Sequence, residues 1–113
     1  MRIFEKIGAQ TARAQDGVAI YAVDMNTKRY ERPDKYCDLY QGSGMDKTGA
    51  RYSTIDMQGP LRKGSHGPLR QGIFWTLPDG SHQRVTEDEK QEMIQDFEAA
   101  YRVLGGRVLC LVD

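Results

Sequence analysis

At 113 residues the chain has the length of a single domain, and one core over 1–113 is expected. Its 16 basic and 16 acidic side chains cancel, so bulk electrostatics draw it neither to a polyanion nor to a membrane surface. No apolar run approaches bilayer length, and charges interrupt Met1-Arg2-Ile3-Phe4-Glu5-Lys6-Ile7, which argues against a signal peptide and makes the cytoplasm the expected location.

In chain order, residues 2–7 fit either a helix with Ile3, Phe4 and Ile7 inward or a short strand, and periodicity leaves both open. Residues 18–23 read as a strand whose mate is 11–14, joined by the tight-hairpin signal Asp16-Gly17. A turn at Asp24-Met25-Asn26-Thr27 leads to residues 28–32, expected as an exposed edge strand ended by Pro33. Residues 33–70 have weak periodicity and many breakers, with one loose strand at 51–57. They also hold a short duplication, Gly59-Pro60-Leu61-Arg62 and Gly67-Pro68-Leu69-Arg70, too brief to mean a repeat architecture. Long loops in compact domains are often functional, so this segment is the first place to look for a site.

The remaining third is better patterned. Residues 72–77 read as a strand closed by the Pro78-Asp79-Gly80 turn, with 81–85 returning antiparallel. A helix is expected over 87–104. Thr86 and Glu89 have capping-box spacing, and Glu87, Asp88 and Glu89 place negative charge at the positive end of the helix dipole. Met93, Ile94, Phe97, Ala100, Tyr101 and Leu104 form one apolar stripe, and Gly105 supplies the left-handed stop. Residues 107–112 read as a strand buried on both faces. The expected fold is α+β: an antiparallel or mixed sheet of about five strands, one long C-terminal helix packed on a face, then a buried strand.

Cys37 and Cys110 lie far apart and read as buried thiols of a reducing compartment. Cys37 also lacks the positive surroundings of a nucleophile, since Asp38 follows it. There is no Cys-x-x-Cys, no histidine pair at helical spacing and no Gly-x-Ser-x-Gly elbow, so neither a metal nor a cofactor is expected. The stretch from Gly42 to Gly49 superficially resembles a phosphate loop, but Asp46 puts negative charge where phosphate would sit, and a turn-rich loop explains it better.

Arg62, Lys63, His66 and Arg70 group cationic side chains that suit phosphate or an acidic protein surface, although a solvated connection with no ligand is the better explanation. Tyr30, Tyr36, Tyr40 and Tyr52 are interleaved with Arg29, Arg32, Lys35 and Arg51, the mixture enriched at interface hot spots; the plain alternative is that they cover the core rim. The overall zero also hides an asymmetry. Residues 1–70 carry 12 basic and 8 acidic side chains, and residues 71–113 carry 4 and 8, most of the acid on the helix.

The strand with Trp75 and Pro78, the capped acidic helix Thr86-Glu87-Asp88-Glu89-Lys90 with Ile94 inward, Gly105 and the closing apolar strand resemble a pattern in bacterial polymorphic-toxin immunity proteins. The resemblance covers about residues 73–112, a third of the chain. It implies a cytoplasmic inhibitor that binds a cognate toxin, with Glu87, Asp88, Glu92 and Asp96 opposing a basic toxin surface. The expected function is therefore a non-enzymatic protein-binding module. Its partner surface is drawn from Tyr30, Arg32, Tyr36, Tyr40, Tyr52, Arg62, His66, Arg70 and those four acids. The alternative is a small nucleic-acid-binding protein or metal-independent ribonuclease using Arg62, His66, Arg70 and His82.

Overall fold

The computed structural model describes residues 2–17, 19–59, 61–63 and 69–111. The first five strands are β1 (Glu5–Lys6), β2 (Thr11–Asp16), β3 (Ala19–Asp24), β4 (Arg29–Arg32) and β5 (Lys35–Asp38). They run as an antiparallel meander, each joined to the next by a short turn. Gly17 takes φ +62° at the β2–β3 turn, a conformation open to glycine at no steric cost. At the β3–β4 turn Asp24 Oδ1 accepts the amides of Asn26 and Thr27, and Lys28 is held at φ +60° with its ammonium donating to the Met25 carbonyl.

Residues 2–7, left open by the pattern, contain the two-residue edge strand β1. The 28–32 segment is corrected. Far from being an exposed edge, β4 lies fourth in the sheet, between β3 and β5, and Tyr30 is fully buried. Pro33 occupies the turn into β5 and does not end the sheet. The Lys35–Asp38 strand carries no β-branched residue and only one strand-favouring side chain, Tyr36, so its local strand signal is weak.

The middle of the chain departs most from expectation. It forms β6 (Tyr40–Met45), β7 (Arg51–Asp56), β8 (Leu61–Lys63) and β9 (Leu69–Gln71) before β10 (Phe74–Thr76) and β11 (His82–Arg84) return to the first sheet. The architecture is a seven-stranded sheet ordered β1-β2-β3-β4-β5-β10-β11, a separate three-stranded sheet and a two-stranded ribbon, β8–β9, so it exceeds the five strands expected. The glycines read as loop at 42 and 44 lie inside β6. There Tyr52 faces Gly44 across the hairpin, and a Cβ on Gly44 would come within 2.5 Å of the Tyr52 ring. The missing side chain is the space that ring fills.

The fold class is α+β, with α1 (Glu87–Val103) packed on the sheet. Its capping box is complete in both directions between Thr86 and Glu89. At the other end the Gly105 and Gly106 amides donate to the carbonyls of Arg102 and Tyr101, with Gly105 at φ +79°, which is a Schellman stop. Met93, Phe97, Ala100 and Tyr101 are buried against Ala12, Val23, Tyr30, Cys37 and Trp75 of the sheet. Tyr30 lies at the aromatic centre, 5.9 Å from Trp75 and 5.7 Å from Phe97, within the range where tilted rings attract.

The last strand, β12 (Val108–Leu111), pairs in parallel with β7, giving the order β12-β7-β6. The expectation of burial on both faces is corrected: β12 is an edge, Val108 and Cys110 are only half-buried, and Leu109 is 51% exposed. Only one face of β12 meets the core that α1 shares. Both cysteines are free; burial pushes the Cys37 thiol up to about 12 and the Cys110 thiol to about 11. Among the described residues no helix is long and apolar enough to cross a membrane.

Candidate protein-binding surface

The two faces of the seven-stranded sheet use charge differently. On the covered face, Glu89, Glu92 and Asp96 recur at spacings of three and four, which aligns them on one side of α1. They meet cations from the sheet and the N-terminal segment. Lys35 Nζ is 3.0 Å and Arg32 3.7 Å from Glu89, and Arg32 is 3.0 Å from Glu92. Arg2 pairs with Glu92 and, at 2.8 Å, with Asp96, whose carboxylate also accepts the Tyr30 hydroxyl. The flat guanidinium of Arg2 lies 3.6 Å from the centre of the Tyr21 ring, and Arg32 lies 4.9 Å from that of Trp75.

Burial raises the Asp96 carboxyl, outweighing the Tyr30 and Arg2 contacts. Burial pushes Glu89 the same way, but the Thr86 amide and Lys35 prevail and hold it down at about 2. Glu92 is lowered, first by Arg2. This seam corrects four of the expected contact residues. Tyr30 and Asp96 are buried and Arg32 faces the helix, so none of the three is free to meet a partner; Glu92 is already bound by two arginines. The acids were legible in the sequence, but their partners Arg2, Arg32 and Lys35 lie 54 to 94 positions away, beyond the reach of any local pattern. Glu87 and Asp88 precede the seam and remain exposed, Glu87 bonding Lys90 at 3.2 Å.

Among the described residues, no helix lies on the opposite face. Register places Glu5, Arg13, Ala22, Glu31, Tyr36, Thr76 and His82 in one row across all seven strands, roughly 29 Å at the usual interstrand spacing. A second row runs Thr11, Asp24, Arg29, Asp38. At their centre Arg29 grips Asp38 through two hydrogen bonds of 2.8 and 3.1 Å and stacks 4.1 Å from the centre of the Tyr36 ring. Phe74 lies on the same face, with the Arg84 guanidinium 5.3 Å from its ring centre. Arg13, Glu31, Asp38 and His82 are exposed, while Tyr36, Phe74 and Arg29 are half-buried. The surface thus offers two aromatic rings among charges that largely compensate one another.

The other expected residues scatter. Tyr52 stands on β7, in the smaller sheet, with Arg107 5.9 Å from its ring centre. Tyr40 lies on β6 opposite Asp56, and Arg62 and Arg70 are direct register partners on β8 and β9. His66 lies outside the described residues. His82 is exposed, its Nδ1 3.5 Å from Thr76 Oγ1. The glycine-rich stretch that resembled a phosphate loop is a hairpin whose turn Asp46 organises, accepting from Thr48, Ala50 and Arg107. Those bonds, the Thr48 hydroxyl first, keep its carboxyl well below the usual range. Among the described residues no three His, Cys, Asp or Glu side chains are grouped to hold a metal. Comparison with protein-family models, curated proteins and solved structures returns no match to this chain.

Proposed function

We propose that the chain is a protein-binding module of the immunity type, which meets its toxin through the open face of the seven-stranded sheet. The observation that carries this reading is the Arg29–Asp38–Tyr36 cluster at the middle of an uncovered sheet. Tyrosine and arginine anchors already held in place lose little freedom on docking, and they sit where hot spots concentrate. Charge compensation on that face suits a protein of mixed charge better than a polyanion. The resemblance of residues 73–112 to immunity proteins supplies the class of partner, and the exposed Glu87 and Asp88 supply a separate acidic contact.

The test is co-expression with a candidate toxin encoded beside the gene. Growth should be rescued by the wild-type chain, and Tyr36→Ala should lose rescue while keeping the wild-type melting temperature. Rescue that survives loss of Tyr36, Phe74 and Arg29 together would remove the open face from the proposal. A second reading, RNA binding, draws on the register that sets Arg62 beside Arg70. It requires RNA affinity that falls steeply with salt and drops when either arginine becomes Ala.

A further inference from the structure

One lysine is placed unlike the others described. Lys35 and Lys90 are paired with Glu89 and Glu87, and Lys6 and Lys47 are exposed. Lys28 is only 5% exposed and, among the described residues, makes no ion pair. Its ammonium donates to the Met25 carbonyl and lies 5.7 Å from the centre of the Tyr101 ring. Asp24, whose charge favours the ammonium, has its Oδ1 bonded instead by the amides of Asn26 and Thr27. A buried ammonium without a carboxylate partner gives up its proton more readily than one in water. Burial accordingly holds the Lys28 ammonium below its ordinary value, against the pull of Asp24.

The backbone fixes this side chain in place. Lys28 is the one non-glycine among the described residues with a positive φ, +60°, where a β-carbon is crowded. Its amide donates to the Asp24 carbonyl at 2.8 Å and its carbonyl accepts from the Leu39 amide at 3.2 Å, which pins the residue on both sides. Beside it is a cavity of about 370 Å³, lined by Ala9, Gln10, Met25, Asn26, Lys28 and Leu104. That is the size of hollow that small ligands occupy. Among these six, Lys28 alone carries an ionisable group; the others are apolar or amide side chains. The lining therefore holds no second cation for a phosphate or carboxylate, and no acid for an amine.

We infer that Lys28 is a covalent capture site for a small uncharged aldehyde, which enters this cavity and condenses with the amine to an imine. The Nζ lone pair forms the new N–C bond at the carbonyl carbon. Both amine protons pass to the carbonyl oxygen, which leaves as water, and nothing is oxidised or reduced. A desolvated lysine supplies the neutral amine that this chemistry needs. The amide and apolar lining suits a short aliphatic chain with one carbonyl better than a charged carbonyl compound. The cavity shares no residue with the Arg29, Tyr36 and Asp38 cluster, so the site stands or falls apart from the proposed function.

The test is reductive labelling of the whole chain at pH 7 with butanal and cyanoborohydride, mapped residue by residue by mass spectrometry. An exposed lysine has roughly one amine in a few thousand neutral at that pH, and each unit of lowering multiplies the share about tenfold. Lys28 should therefore label at least about tenfold faster than Lys6 and Lys47 in the folded protein, and lose the advantage in urea. Ala9→Trp adds bulk at an exposed residue of the lining, so it should slow Lys28 several-fold and leave Lys47 unchanged. Glyoxylate, which carries a carboxylate, should lose most of the preference for Lys28. Lys28 labelling no faster than Lys6 and Lys47, an advantage that survives urea, or a rate indifferent to Ala9→Trp would each overturn the capture site. A preference undiminished with glyoxylate would overturn the class of ligand. A thermal melt of Ala9→Trp keeps a folding defect from passing as a narrowed cavity, and the wild-type rates decide the matter without that variant.

Discussion

One face of the seven-stranded sheet is closed by a helix and the other is bare, yet both carry arginine, tyrosine and carboxylate. On the closed face Arg2, Arg32 and Lys35 are tied to Glu89, Glu92 and Asp96 across elements, so their charge holds α1 on the sheet. On the bare face Arg29 is tied to Asp38 of the neighbouring strand, and the pair stays at the surface. The same residue types therefore serve cohesion on one side and remain available on the other. What separates the two is the presence of a covering element, which no single strand encodes.

The sharpest test of the closed face is Phe97→Ala. Phe97 is fully buried between Tyr30 and Tyr101, and removing it should cost about 3–5 kcal/mol, read as a lower urea midpoint with unchanged slope. A loss below about 1 kcal/mol would mean that the helix does not close the core.

A smaller effect distinguishes the seam by its pH dependence. Glu89 has a folded pKa depressed from 4.5 to about 2, so its contribution is present above 4.5 and is lost as pH falls toward 2. Asp96 is raised and acts in the opposite sense: its folded form takes up a proton more readily than the unfolded chain, so acid favours the fold at this one group. Urea midpoints should therefore fall between pH 4.5 and 2, and Glu89→Gln should flatten the fall while Asp96→Asn steepens it. An identical profile in wild type and Glu89→Gln would show that the seam does not hold the helix.

The smallest effect belongs to the bare face. Tyr36→Ala should change stability by no more than about 0.5 kcal/mol, because the ring is only half-buried and stands on the face away from the core cluster, stacked on Arg29. A cost comparable with that of Phe97→Ala would show that the open face is structural and would erase the contrast between the two sides.

The elements that were legible are the local ones. The capping box at Thr86 and Glu89, the glycine stop after Leu104, the Asp16-Gly17 and Pro78-Asp79-Gly80 turns and the apolar stripe of α1 all lie within a few residues of their own cause. Residues 33–70 were harder. Gly44 reads as loop because its strand role depends on Tyr52, eight positions away, filling the space beside it. The candidate surface was legible only in part: Tyr36 and Arg29 stood out by type, but Tyr30 has the same type and lies in the core.

Composition and local pattern thus pointed to the α+β class and to a capped helix late in the sequence, because hydrophobic period, caps and turns are short-range physics. Which strands neighbour one another, and hence which tyrosine is buried and which exposed, was decided only when the sheet assembled. A strand turns alternate residues to opposite faces, but it does not specify which face a helix will cover. That choice follows from contacts between residues as distant as Arg2 and Asp96, and it exists only in the folded chain.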